Sequence, residues 1–305
     1  MALESATSAP PQFITVDGVA IAVRFQQGAA EDASPVENAT PTIVWLGGFR
    51  SDMRGSKAER LAQLAARQGV AFLRFDYSGH GESGGAFADG TISRWLGEAE
   101  AVIAAFAADR PVVLVGSSMG GWIALLLARR FQARGTAPVA MVLLAPAPDF
   151  TSELMEPHLT AAQKQALARD GFFTEPSAYS DQPNIYTRAL FEDGAANSVL
   201  VGMVETHCPV TILQGMADPD VPYAHALRLV SHLPTEDVTL TLIKDGDHRL
   251  SREQDLLLLE KAVLAHVQRH NANKAGQHEF FAPILRHYRI NHRVRRHFGP
   301  DHCRR

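Results

Sequence analysis

The stretch VVLVGSSMGGW, Val112–Trp122, decides how this sequence is read. Val112–Val115 is an apolar, largely β-branched run of the kind that forms a buried strand, and Trp122–Phe131 continues as a helix. Between them, Gly116-Ser117-Ser118-Met119-Gly120 fits G-x-S-x-G. A sharp strand-to-helix turn strains the backbone, and side chains flanking it would collide with neighbouring elements. Glycine on both flanks removes that collision. The turn lifts Ser118 Oγ above the sheet and sets the Met119 N–H at a helix N-terminus, where negative charge is stabilised. Small residues at 116–121 would also suit plain close packing of a helix on a strand, so the motif takes its meaning from the strand before and the helix after. Ser117 breaks the glycine spacing, which leaves Ser118 as the candidate nucleophile.

Outward from this turn the chain alternates strand and helix. The strand-like runs are Thr42–Leu46, Val70–Phe75, Pro111–Gly116, Val139–Leu144, Val210–Gln214 and Val238–Ile243. The helical segments are Lys57–Gln68, Ser93–Ala108, Met119–Arg134, Ala224–Leu233 and Ser251–His270. Such alternation predicts an α/β fold with a mostly parallel central sheet flanked by helices on both faces. Two short extended segments, Phe13–Val16 and Ala20–Phe25, precede it around the turn pair Asp17-Gly18. About sixty residues separate Leu144 from Val210, too many for one crossover. Residues 148–207, with Thr160–Asp170, Ser177–Tyr179 and Asn184–Leu190, are therefore expected to form a small helical cap over the C-terminal edge of the sheet, where open parallel sheets bind ligands. The expected organisation is a flexible lead-in over 1–12, a core over 13–147 and 208–270, the cap between, and a basic extension over 271–305.

A serine hydroxyl needs a base, and the base needs an acid to hold its tautomer. His248 lies in Asp245-Gly246-Asp247-His248, between a β-branched strand and the last long helix. A histidine there can fold back over the Ser118 turn, although it could also merely cap the helix. Asp218 follows the strand Val210–Gln214 through Gly215-Met216-Ala217 and is the candidate acid. Asp149, after the previous strand, and Asp220, before Val221-Pro222, are its rivals. Asp245 and Asp247 are read as shaping the loop around His248. A second oxyanion donor is expected from Leu46-Gly47-Gly48-Phe49-Arg50, with the Phe49 amide best placed beside that of Met119. His80 comes too early in the chain for the base, and Asp76–Gly85 around it is read as architecture.

Trp45–Phe49, Phe75–Gly79, Gly116–Trp122, Gly215–Asp218 and Asp245–Arg249 together resemble the α/β-hydrolase superfamily. More narrowly, they resemble the branch containing the mitochondrial palmitoyl-protein thioesterase, also called mycophenolic acid acyl-glucuronide esterase. The resemblance spans about residues 40–268. It implies hydrolysis of acyl esters or thioesters through an acyl-enzyme, without metal or organic cofactor, and assigns nucleophile, acid and base to Ser118, Asp218 and His248. Many relatives carry His where this chain has Gly47, a change that removes a side chain and not the backbone donor. Peptidase, amidase or C–C bond cleavage on the same three residues, and a non-catalytic binding role, are the alternative readings.

The 305-residue chain is 46% apolar with a formal net charge of −4, which suits a packed core. Residues 271–305 nevertheless carry eight Lys/Arg against Glu279 and Asp301. An acidic body with a basic tail does not describe a nucleic-acid-binding domain. Phe280, Phe281, Ile284, Leu285, Tyr288 and Ile290 within that tail could form an apolar stripe for homo-oligomer contact or for docking on an acidic surface. No apolar run is long enough to span a membrane. The lead-in MALESATSAPPQF has neither a secretory signal pattern nor, with Glu4 and no Arg, a transit-peptide pattern. With only Cys208 and Cys303 the expected location is a reducing cytoplasm, and the resemblance, without a transit-peptide pattern, implies a bacterial-type member. The expected partner is a small-molecule acyl ester or thioester.

Overall fold

The computed structural model describes residues 10–29, 40–108, 110–176, 183–233 and 237–288, with side chains to residue 273. Strands β1 (Gln12–Val16), β2 (Val19–Gln26), β3 (Thr42–Leu46), β4 (Phe72–Phe75), β5 (Val112–Ser117), β6 (Ala140–Leu144), β9 (Val210–Gly215) and β10 (Val238–Ile243) form one sheet in the order β1-β2-β4-β3-β5-β6-β9-β10. The β1–β2 and β2–β4 pairs are antiparallel and every other pair is parallel. The mostly parallel sheet flanked by helices is the architecture expected from the alternating pattern.

Two-residue periodicity divides the core. Val44 and Leu46 of β3 and Val112 and Leu114 of β5 face one layer, which includes Trp95, Ala99 and Val102 of α2 (Ile92–Ala107) and Ile123 and Leu127 of α3 (Met119–Ala133). Their neighbours Ile43, Trp45, Val113 and Val115 face the other, with Leu61 and Ala65 of α1 (Ser56–Gln68) and Leu259 and Val263 of α7 (Glu253–Tyr288). Both faces of the central strands are therefore dry, which is why these strands read as continuous apolar runs. Residues α6 (Tyr223–His232) contributes to the first layer include Ala226 and Leu229.

The segment between β6 and β9 is not wholly helical. It holds α4 (Ala161–Arg169) and α5 (Arg188–Ala196), but also a two-stranded antiparallel ribbon of β7 (Phe172–Glu175) and β8 (Asn184–Thr187). Asn184–Leu190, expected as helix, starts as strand because Ile185, Tyr186 and Thr187 are β-formers paired against Thr174, Phe173 and Phe172. Ser177–Tyr179 lies outside the described residues. Helix α7 runs past the expected end at His270 to Tyr288, so the backbone has no break where the basic extension was expected to begin. The apolar stripe proposed for the tail lies outside the residues whose side chains are described. No described helix is long and apolar enough to cross a membrane.

Candidate active site

Strand β5 ends at Ser117 and α3 begins at Met119, so Ser118 alone makes the turn. Its backbone sits at φ 53°, ψ −116°, outside the regions an L-residue readily occupies. Surrounding structure holds it there: the Ser118 amide donates to Leu144 O at 2.9 Å, and its carbonyl accepts from Gly121 and Ala147 at 2.9 and 3.1 Å. The flanking glycines are required by contact. A Cβ at Gly116 would lie 2.4 Å from Gly120 O, and one at Gly120 would lie 2.0 Å from Leu46 O.

His248 Nε2 lies 3.1 Å from Ser118 Oγ, and His248 Nδ1 lies 2.8 Å from Asp218 Oδ2. The Asp218 side chain is wholly buried, whereas that of His248 is partly exposed at 18%. Asp218 Oδ1 accepts from the amides of Asp220 and Val221, both at 2.9 Å, and Oδ2 accepts from Gln214 Nε2 at 3.2 Å. These donors stabilise the carboxylate and set its direction. The two loops are laced together, with the Met216 amide donating to Ile243 O at 2.8 Å and the Ala217 amide to Gly246 O at 3.0 Å. Beyond His248, Asp247 Oδ1 accepts from the Leu250 amide at 3.0 Å and Asp245 pairs with Arg252. The Lys57 amine donates to Arg249 O, which ties the start of α1 to the same loop. Burial and the Arg249 charge push the Lys57 amine down to about 8.

The rival acids stand elsewhere. Asp149 accepts from the amides of Val199 at 2.9 Å and Leu200 at 2.8 Å, so it holds the return of the inserted segment to the core. Asp220 touches Asp218 through its amide. Among the described residues, Asp218, Asp220 and His248 are the group whose donor atoms are close enough together to hold a metal. The Asp218 oxygens and His248 Nδ1 are already joined in the hydrogen bonds above. Of the other histidines, His225 lies 2.8 Å from Pro148 O and His266 lies 2.9 Å from Thr211 Oγ1, each within the core.

A cavity of about 580 Å³ opens on Ser118. Phe49, Met119, Phe150, Leu154, Met155 and Tyr186 contribute apolar wall, and Arg50, Lys57 and Arg249 a charged one. Phe49 and Tyr186 are stacked, with ring centroids 5.5 Å apart, so the Gly47–Arg50 loop and the inserted ribbon share one wall. The amides of Phe49 and Met119 are committed to no acceptor among the described residues. The loop also carries contacts that sequence reasoning missed. Asp76 accepts from the Met53 amide at 2.6 Å, Arg74 donates to Met53 O at 2.9 Å, and His80 Nε2 accepts from the Arg50 amide at 3.1 Å. All three cross from the segment around 74–82, and the only hint in the sequence was a histidine set among glycines.

Residues 43–274 match the model of the alpha/beta hydrolase family. The chain belongs to the alpha/beta hydrolase family. This alpha/beta hydrolase is 32% identical over 227 residues to mouse palmitoyl-protein thioesterase ABHD10, mitochondrial, covering 73% of this chain and 74% of the relative. The human protein of that name is 31% identical over 226 residues, covering 73% and 72%. Among solved structures, a hydrolase of unspecified activity from Agrobacterium vitis S4 is 54% identical with a TM-score of 0.78, covering 85% of this chain and 100% of that one. Mouse alpha/beta hydrolase domain-containing protein 10 is 28% identical with a TM-score of 0.73, covering 86% and 99%.

Proposed function

We propose that this alpha/beta hydrolase cleaves carboxylic acyl esters or acyl thioesters through a Ser118–His248–Asp218 triad. The observation that carries the reading is the continuous line from Ser118 Oγ through His248 to Asp218, at 3.1 and 2.8 Å, with the serine held at positive φ. His248 Nε2 takes the Ser118 proton as Oγ bonds to the acyl carbon. Asp218 holds the Nδ1–H and stabilises the imidazolium. The Phe49 and Met119 amides receive the oxyanion, each typically contributing about 3–4 kcal/mol to transition-state stabilisation. The intermediate collapses by breaking the C–O or C–S bond, and the leaving group departs with the proton from His248. Water then adds to the acyl carbon, giving its proton to His248, and Ser118 leaves with that proton to release the acid.

The apolar cavity wall supports an apolar acyl group, and relatives named as a palmitoyl-protein thioesterase and a lysophosphatidylserine lipase support the ester or thioester bond. The cytoplasmic location expected above stays part of this proposal. The test is hydrolysis of p-nitrophenyl esters and matched acyl thioesters of increasing chain length, beside labelling with a fluorophosphonate. Turnover and labelling that vanish together in Ser118→Ala, with the variant folded, are the expected result. A folded wild type that neither labels nor turns over would overturn the reading.

A further inference from the structure

The segment Asp76–Gly85 carries a histidine that the chemistry above does not use. His80 is 4% exposed and is absent from the cavity wall. We propose that His80, as neutral imidazole protonated on Nδ1, is a positioning residue that fixes the oxyanion loop, and so the Phe49 amide, through the amide of Arg50. The inference rests on the hydrolase reading above and deepens it.

Arg50 is a non-glycine residue at φ 56°, in the left-handed region that a side chain disfavours. Its amide donates to His80 Nε2 at 3.1 Å. The direction of that bond follows from the other ring nitrogen. His80 Nδ1 lies 3.0 Å from Ser78 O, an acceptor only, so Nδ1 carries the proton and Nε2 is the lone pair. Ser78 is itself anchored, its amide donating to Glu98 Oε2 at 2.8 Å. The ring has no room to turn, because Phe87, Trp95 and Tyr77 lie 5.1, 5.3 and 5.7 Å from it between centroids. Burial, with help from the Arg50 charge, pulls the imidazole down to about 4, which keeps Nε2 unprotonated near neutral pH.

The Phe49–Arg50 peptide plane held in this way adjoins the Gly48–Phe49 plane, whose N–H we assign to the oxyanion. Phe49 packs on the same cluster, 4.9 Å from Phe87 and 6.0 Å from Trp95. The loop has little slack toward the nucleophile, since a Cβ at Gly48 would lie 3.2 Å from Ser117 O and 3.4 Å from Ser118 Cβ. A shift of a few tenths of an ångström at Arg50 is therefore passed to a donor whose value depends on its aim.

The test compares His80→Phe, which keeps a ring and loses the acceptor, with His80→Gln, which returns a carbonyl oxygen at similar reach. Wild type must first label with a fluorophosphonate and hydrolyse p-nitrophenyl esters. If it does neither, the hydrolase reading and this inference fall together at Ser118. Given an active wild type, His80→Phe should lower kcat about 10- to 100-fold with KM within about threefold. Its affinity for an alkyl boronic acid, which forms a tetrahedral adduct on Ser118, should weaken by a similar factor. His80→Gln should recover most of both. If the Phe variant does not fold, His80→Asn, too short to reach the Arg50 amide, should show the same kcat-selective loss. A folded His80→Phe or His80→Asn with unchanged kcat and boronate affinity overturns the inference and leaves the hydrolase reading standing. So does a kcat loss that Gln does not rescue.

Discussion

The turn that carries Ser118 and the loop that carries Phe49 touch one another, yet they are held by different means. At Ser118 the restraint is made of backbone: a Cβ at Gly116 or Gly120 would strike carbonyl oxygens, the Ser118 amide donates to Leu144 O, and its carbonyl accepts from Gly121 and Ala147. Over Gly47–Met53 the restraint is made of side chains, with Asp76 and Arg74 meeting Met53 and His80 meeting Arg50. The first arrangement holds Ser118 with strain built in. The second leaves a loop whose geometry depends on the packing behind it. Substitutions at the first should act abruptly on stability or chemistry, and those behind the second should act in degrees.

The largest effect expected concerns the acid that completes the line from Ser118. Asp218→Asn keeps the shape but favours the wrong His248 tautomer, and kcat should fall about 10⁴-fold with the circular dichroism spectrum unchanged. Asp149→Asn, at a carboxylate bound to Val199 and Leu200 amides, should leave kcat within about tenfold. Equal losses in the two variants would break the assignment of the acid.

Next in size is the turn itself. Gly120→Ala brings a Cβ to about 2 Å from Leu46 O, where backbone must move on both sides. The expected loss is about 3 kcal/mol or more of unfolding free energy, read from denaturant midpoints. A stable variant would show that the turn has slack that its contacts deny.

The smallest effect separates the two regions by pH. Burial pulls His80 to about 4 and lowers His225 and His266 as well. A histidine with a lower pKa folded than unfolded takes up its proton more readily in the unfolded state. Its stabilising share is therefore complete above about pH 6.5 and lost as pH falls toward the folded value. Between about pH 6.5 and 5, His80 alone should account for about 2 kcal/mol of lost stability, a slope that His80→Gln should flatten. Asp76 and Asp149, raised by burial, act in the opposite sense and gain stability as pH falls, so the readout is the difference in slope between wild type and His80→Gln. An unchanged slope in His80→Gln would mean that other groups set it.

The sheet was legible because strands buried on both faces leave unbroken apolar runs such as Thr42–Leu46 and Val112–Val115. Ser118 and the Asp218 and His248 loops were legible for the same reason: each stands just past a strand end, where parallel topology gathers them at one edge. The ribbon β7–β8 was not, since two four-residue strands leave no periodicity to distinguish them from short helices. Nor was the role of Arg74, Asp76 and His80, because nothing local tells a buried polar side chain which backbone group it will meet.

By itself, then, the sequence determined the alternating α/β architecture, the glycine-flanked serine turn and the strand-end loops that carry Ser118, Asp218 and His248. These rest on short-range rules of periodicity, glycine sterics and turn chemistry. Tertiary structure alone decided that Asp218 and not Asp149 meets His248, that Phe49 and Tyr186 form one wall, and that His80 receives the Arg50 amide. Each of those outcomes joins residues thirty or more positions apart. They are set by how the layers pack, a property of the whole chain that no local window of residues contains.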